Sequence, residues 1–206
     1  NSNKNLGNTT GDKFTQLEKL KKQINSIKNC ELKKSATNLV FADGNPDSSI
    51  MIIGEGPGAN EDKEGKPFVG RAGKLLDKML EAIKLNRKNV YISNVVNFRP
   101  PMNRRPTDEE INRYLPFLKK HIETINPKIL LLLGSTALNA LIGNEVVISK
   151  ARGKWVNKKI GNSNPDVIAS FHPAFLMRQP DQKKYAWEDL KMIKKKISEL
   201  KIKING

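Results

Sequence analysis

Hydrophobic residues recur along this chain in two rhythms. The first is the short unbroken run. Ile50-Met51-Ile52-Ile53 has no polar face and predicts a fully buried strand of a parallel sheet; Asn89 to Ser93, Lys128 to Gly134 and Val167 to Ser170 predict further central strands. Leu39-Val40-Phe41 reads as a short edge strand, Asp43-Gly44-Asn45-Pro46 as a turn, and Trp155-Val156 as one more short strand. The second rhythm is helical. Phe14, Leu17, Leu20, Ile24 and Ile27 predict an amphipathic helix from Lys13 to Asn29, and Leu75, Leu76, Met79, Leu80 and Ile83 mark a helix returning across the sheet. Thr107 with Glu110 forms a capping box that opens a helix to about Ile125. Ser135 is read as the cap of a short helix through Ile142. The final helix, roughly Asp181 to Leu200, turns Trp187, Leu190, Ile193 and Ile197 inward.

Strands alternating with helices predict an α/β fold: a single three-layer α/β/α domain over 13–206 with a central, mostly parallel four-stranded sheet. Residues 1–12 have almost nothing to bury and predict a disordered tail.

The strand ends carry the candidate chemistry. The first runs into Gly54-Glu55-Gly56-Pro57-Gly58, followed by Asn60, Glu61 and Asp62, then by Phe68 among Gly65, Pro67 and Gly70. Glycines let the backbone turn tightly and approach a ligand, and open α/β sheets place ligands beyond the carboxyl ends of their strands. A phosphate loop is disfavoured, because no Gly-Lys-Ser/Thr follows and the acidic cluster repels phosphate. The stretch suits a neutral, planar ligand and acid/base chemistry. The second strand delivers Asn94 to its carboxyl end, level with the Gly54 turn. A loop stiffened by prolines and made basic by Arg99, Arg104 and Arg105 comes next. The last central strand ends in Phe171-His172-Pro173-Ala174-Phe175-Leu176-Met177-Arg178. As bare residues, Asn94 also fits a capping role and Phe68 ordinary core, while Phe175, Leu176 and Met177 fit core as readily as an exposed role. His121, beside Lys119 and Lys120, reads as a solvated surface residue.

Charge narrows the partners. With 37 Lys+Arg against 21 Asp+Glu, the formal net charge is +16, which implies a polyanion: nucleic acid or an anionic membrane surface. No apolar run approaches a spanning helix and no signal peptide opens the chain, so a soluble, cytoplasmic protein is expected. The 1 cysteine, Cys30, excludes an internal disulfide and a multi-cysteine metal site.

In this order and spacing, GEGPGANED, GKPFVGRAG, the strand ending in Asn94, the RPPMNR loop and HPAFLMR resemble the family 4 uracil-DNA glycosylases, from about Cys30 to Leu200. The resemblance implies a monofunctional enzyme that releases uracil from single- or double-stranded DNA as a monomer, by chemistry that needs no metal; with a single cysteine in the chain, no cofactor is expected. It implies that Phe68 stacks on uracil, that Asn94 reads the polar edge of the base, and that His172 sits at the uracil oxygen beside the breaking bond. Gly54, Glu55 and Gly56 would shape the pocket floor, with Glu61, and Glu55 beside it, as candidate catalytic carboxylates. Arg99, Arg104, Arg105 and Arg178 would contact phosphates, with Phe175, Leu176 and Met177 as the wedge. The alternative is a protein that binds uracil or abasic DNA without turnover, or traps it covalently.

The chain departs from that family in one respect. Typical members hold an iron–sulfur cluster on four cysteines, and here those positions fall on Ile27, Cys30, Phe98 and Tyr114. One thiolate does not hold such a cluster. These side chains are expected to meet in a small hydrophobic cluster instead.

Overall fold

In a computed structural model that describes residues 10–204, the sheet comprises β1 (Asp43–Gly44), β2 (Ile50–Gly54), β3 (Tyr91–Asn94), β4 (Ile129–Leu133), β5 (Val156–Asn157) and β6 (Asp166–Ser170). Their spatial order is β1-β3-β2-β4-β6-β5. The four inner strands are parallel, and β1 and β5 pair antiparallel at the two edges. The sheet thus has six strands, not four. Both additions are two residues long, too short to carry an alternation. The expected edge strand at Leu39-Val40-Phe41 is displaced to Asp43-Gly44, part of the predicted turn. The expected strand at Trp155-Val156 is shifted by one residue.

The unbroken apolar runs are explained by two cores. Successive strand residues point to opposite faces. Met51, Ile53, Leu130 and Leu132 pack on one side with Leu17, Leu20 and Ile24 of α1 (Thr10–Asn25) and Leu118 and Ile122 of α5 (Asp108–Ile125). Ile50, Ile52, Ile129 and Leu131 pack on the other side with Leu76 and Leu80 of α4 (Arg71–Ala82) and Leu190 and Ile193 of α9 (Lys183–Glu199). The shorter helices are α2 (Glu31–Ser35), α3 (Ala59–Glu64), α6 (Ser135–Leu141), α7 (Ile148–Ala151) and α8 (Pro173–Arg178). The capping box of α5 forms as expected, with Glu110 N donating to Thr107 Oγ1 and Thr107 N to Glu110 Oε2. The cap residue of α6 is Gly134, and Ser135 is its first helical residue.

Several expectations are corrected by packing. Helix α1 begins at Thr10, inside the stretch expected to be a tail; the rest of that stretch, 1–9, lies outside the described residues. Phe14 and Trp187, assigned to apolar faces, are 64% and 42% exposed. His121 is buried. It shares the inner face of α5 with Leu118 and Ile125, three residues before it and four after, so helical position overrides its lysine neighbours. Its ring stacks on Phe41 with centroids 4.5 Å apart, and its Nε2 lies 2.7 Å from Tyr91 Oη.

The four positions that family 4 enzymes give to cluster ligands do not fit an iron–sulfur cluster here. Cys30 and Tyr114 are buried, with Sγ and Oη 3.2 Å apart. Phe98 is buried in the same core, and Ile27 packs against it. Tyr114 titrates above its ordinary range, chiefly through burial and then through Cys30.

Candidate active site

The four parallel strands finish along one edge of the sheet. Gly54 pairs with Asn94 across β2 and β3, and Leu133 with Ser170 across β4 and β6. From β2 the chain moves outward to β3, then crosses to β4 on the other side. That reversal opens a crevice at the carboxyl ends, where α/β sheets bind ligands. A cavity of about 740 Å³ lies there, its wall including Glu55, Phe68, Asn94, Gly134, His172 and Arg178.

Asn94 is 3% exposed, and its Oδ1 has no hydrogen-bond partner among the described residues. A buried acceptor left unpaired costs about 1–3 kcal/mol. The cavity therefore holds an acceptor in need of a donor. A Cβ on Gly54 would fall 2.6 Å from Asn94 Oδ1 and 2.5 Å from Phe68 Cζ, so only glycine allows these two side chains to converge.

Phe68 adopts a left-handed backbone conformation, with φ of 54°. For a bulky residue this costs on the order of 1–3 kcal/mol and persists only where the surroundings enforce it. Arg87 donates to the carbonyls of Pro67, at 2.9 Å, and of Phe68. Glu61 Oε1 accepts from the amides of Val69 and Gly70 at 3.1 and 3.0 Å. The strained residue is thus gripped on both sides. Arg87 is itself held by Asp43 and Asp77. No sequence motif marks it.

His172 precedes α8, and its Nδ1 accepts from the amide of Ala174 at 3.0 Å. The proton of the neutral ring therefore sits on Nε2. Its centroid lies 5.5 Å from that of Phe68, with the planes 26° apart. Burial in the cavity wall pushes its pKa down to about 4; Arg178 acts in the same direction and Glu61 opposes it. At neutral pH the site presents an uncharged N–H donor.

The two candidate carboxylates differ in what they already hold. Glu61 Oε2 accepts from the amide of Gly58 at 3.2 Å, so both its oxygens are occupied by backbone. Glu55 Oε2 accepts from Thr136 Oγ1 at 2.5 Å. Its Oε1 has no partner among the described residues. Thr136 lies three residues past the end of β4, and no sequence motif marks it.

A model of the uracil-DNA glycosylase superfamily matches residues 41–191. A type-4 uracil-DNA glycosylase of Sulfurisphaera tokodaii is 42% identical over 183 residues, covering 86% of this chain and 83% of that protein. One of Thermotoga maritima is 44% identical over 163 residues, covering 79% and 83%. The chain belongs to the type-4 uracil-DNA glycosylases.

Of the wedge and phosphate-binding candidates that membership in the uracil-DNA glycosylases suggests, the structure gathers only some. Arg105, Arg178 and Phe175 line the cavity mouth. Arg104 lines it too, but is paired with Glu110 through two bonds of 2.7 and 2.9 Å. Arg99 donates to Asn103 Oδ1 at 2.7 Å. Leu176 is 1% exposed and belongs to the core, which removes it from the wedge. Phe175 packs on Phe171 at 4.8 Å, and Met177 is half-buried.

Proposed function

We propose that this protein hydrolyses the N-glycosidic bond of uracil in DNA, taking the base out of the helix into the cavity at the sheet edge. The observation that carries this reading is the pairing of an unsatisfied buried amide oxygen on Asn94 with a neutral imidazole donor on His172, beside the ring of Phe68. A planar base stacked on Phe68 would offer its ring N–H to Asn94 Oδ1 and accept from the Asn94 amide. Cytosine lacks that N–H, so the same amide discriminates between them.

As the C1′–N1 bond breaks, its electron pair passes to the uracil ring and charge gathers on the oxygen beside the bond. A donor aimed at that oxygen is worth about 3–4 kcal/mol. His172 Nε2–H supplies it without needing to be charged. Water attacks C1′ and its proton passes to a carboxylate. Glu55 is assigned this part: one oxygen is fixed by Thr136 and the other is open, whereas Glu61 is engaged in holding the Phe68 loop. The products are free uracil and an abasic site. The excess of positive charge favours phosphate contacts, with Arg105 and Arg178 among the residues that line the cavity.

The test is a labelled oligonucleotide carrying one uracil, incubated with the protein and then treated with alkali. Strand breaks at uracil are expected. Intact strands would leave a binding protein, and a DNA adduct that survives denaturant would mark a covalent trap.

A further inference from the structure

The loop between β3 and α5 carries an apolar group that neither the core nor the pocket uses. Met102 is 93% exposed, the highest exposure among the large hydrophobic side chains of the described residues. It also has a left-handed backbone, with φ of 53° and ψ of 28°, and Asn103 follows at φ of 57°. A bulky side chain in that region is an outlier that must be held there. The loop does hold it. Asn103 N donates to Pro100 O at 3.1 Å, Arg104 N to Pro101 O at 3.2 Å, and the Arg99 and Arg104 side chains are fixed as described above. Pro100 and Pro106 are buried at its base. The result is a rigid turn that points a methionine into solvent.

The position of the turn identifies what it meets. Its neighbours Pro100, Asn103, Arg104 and Arg105 line the mouth of the uracil cavity. The surroundings are cationic, and of the α8 residues that could otherwise fill a gap in the DNA, Leu176 lies in the core, Phe175 packs on Phe171 and Met177 is half-buried, whereas Met102 is almost wholly exposed. An exposed apolar side chain amid arginines suits a duplex, whose rim is phosphate and whose interior is stacked bases. We infer that Met102 is the wedge that enters the base stack of double-stranded DNA and fills the space left by the displaced nucleotide. Apolar side chains inserted between base steps play this part in other DNA complexes. Methionine, unbranched and polarizable, adapts to an irregular gap. The inference rests on the proposed uracil activity, because a wedge serves only an extruded base.

The experiment compares wild type, Met102→Ala and Met102→Leu on uracil in duplex and in single-stranded DNA, under single-turnover conditions. In a single strand there is no partner stack to hold open. Met102→Ala should therefore lower the duplex rate about tenfold and leave the single-strand rate within about twofold, with Met102→Leu restoring the duplex rate. Thermal stability should be unchanged, since the side chain is exposed. A second readout is independent of cleavage: 2-aminopurine next to uracil in a duplex should brighten on binding wild type and stay dim with Met102→Ala. Equal losses on both substrates, or no loss on either with equal fluorescence, would overturn the wedge. If wild type cleaves neither substrate yet brightens the probe in a Met102-dependent way, the glycosylase reading fails and the wedge survives.

Discussion

The Thr136 hydroxyl donates to Glu55 Oε2 at 2.5 Å, joining the start of α6 to the glycine-rich turn after β2 across 81 positions of sequence. The bond fixes one oxygen of the carboxylate and leaves Oε1 without a partner among the described residues. Thr136→Val should lower kcat about tenfold with little change in KM, because it frees the carboxylate without touching the base pocket. Thr136→Ser should restore the rate, which a merely structural role for the methyl group would not allow. Glu55→Gln should cost about a hundredfold by removing the proton acceptor. If Glu61→Gln loses more rate than Glu55→Gln with equal thermal stability, the assignment is reversed.

His172 should act as a neutral donor. Its pKa is pushed down to about 4, so the single-turnover rate should show no step near pH 6.5 on account of this residue. A rise in rate on acidification with a midpoint near 6.5 would mean that the imidazolium is the donor. His172→Ala should slow the chemical step about a hundredfold while leaving DNA affinity nearly intact. Stability has a related signature. Below about pH 6.5 the unfolded chain protonates its histidines, while folded His172 and His121 wait until about 4 and about 3. The folded state is penalised progressively as pH falls through that window, so denaturant midpoints should decline between pH 6.5 and 4. His121→Phe should flatten part of the decline.

Asn94 Oδ1 is buried without a partner among the described residues, a cost that a ring N–H offered by a bound base would relieve. Asn94→Leu keeps similar volume and removes the unpaired group. It should match or exceed wild type in stability, by about 1 kcal/mol, while abolishing uracil release. Asn94→Asp should also impair uracil recognition, because a carboxylate lacks the amide donor. Unchanged uracil release in either variant, measured at equal protein and substrate, would remove Asn94 from base reading.

The core around Cys30 and Tyr114 should stand in for the missing cluster as a folding element. Phe98 is 3% exposed there, and Phe98→Ala should cost about 3–5 kcal/mol in denaturant unfolding. Cys30→Ser keeps a hydrogen-bonding partner for the Tyr114 hydroxyl and should cost far less. Purified protein should contain no iron, and chelators should leave its melting temperature unchanged. Stoichiometric iron would contradict this outright.

The strands that build the site were legible because each is a short, largely apolar run, unbroken in β2 and β4, closed by a distinctive end: Gly54, Asn94, Gly134 and the His172 motif. Their parallel pairing then follows from the helices between them. Edges and long-range holds were not legible. Asp43-Gly44 carries no strand pattern, and its pairing comes from the neighbouring β3. Arg87 and Thr136 act on residues 19 and 81 positions away, which no local periodicity encodes. The glutamates read alike in sequence, and only their occupied lone pairs separate them. His121 was misplaced because a neighbourhood of lysines says less than the face a helix turns inward, and it is the inward face of α8 that decides for core at Leu176, a position the sequence leaves open.

The most direct measurement is free uracil, quantified by chromatography, from a duplex carrying one uracil in large excess over protein. Many equivalents of free uracil per protein are expected, matched one for one by alkali-labile sites, with none from the same duplex bearing cytosine. No free uracil, or a single equivalent with the DNA left bound covalently, would contradict the proposed hydrolysis.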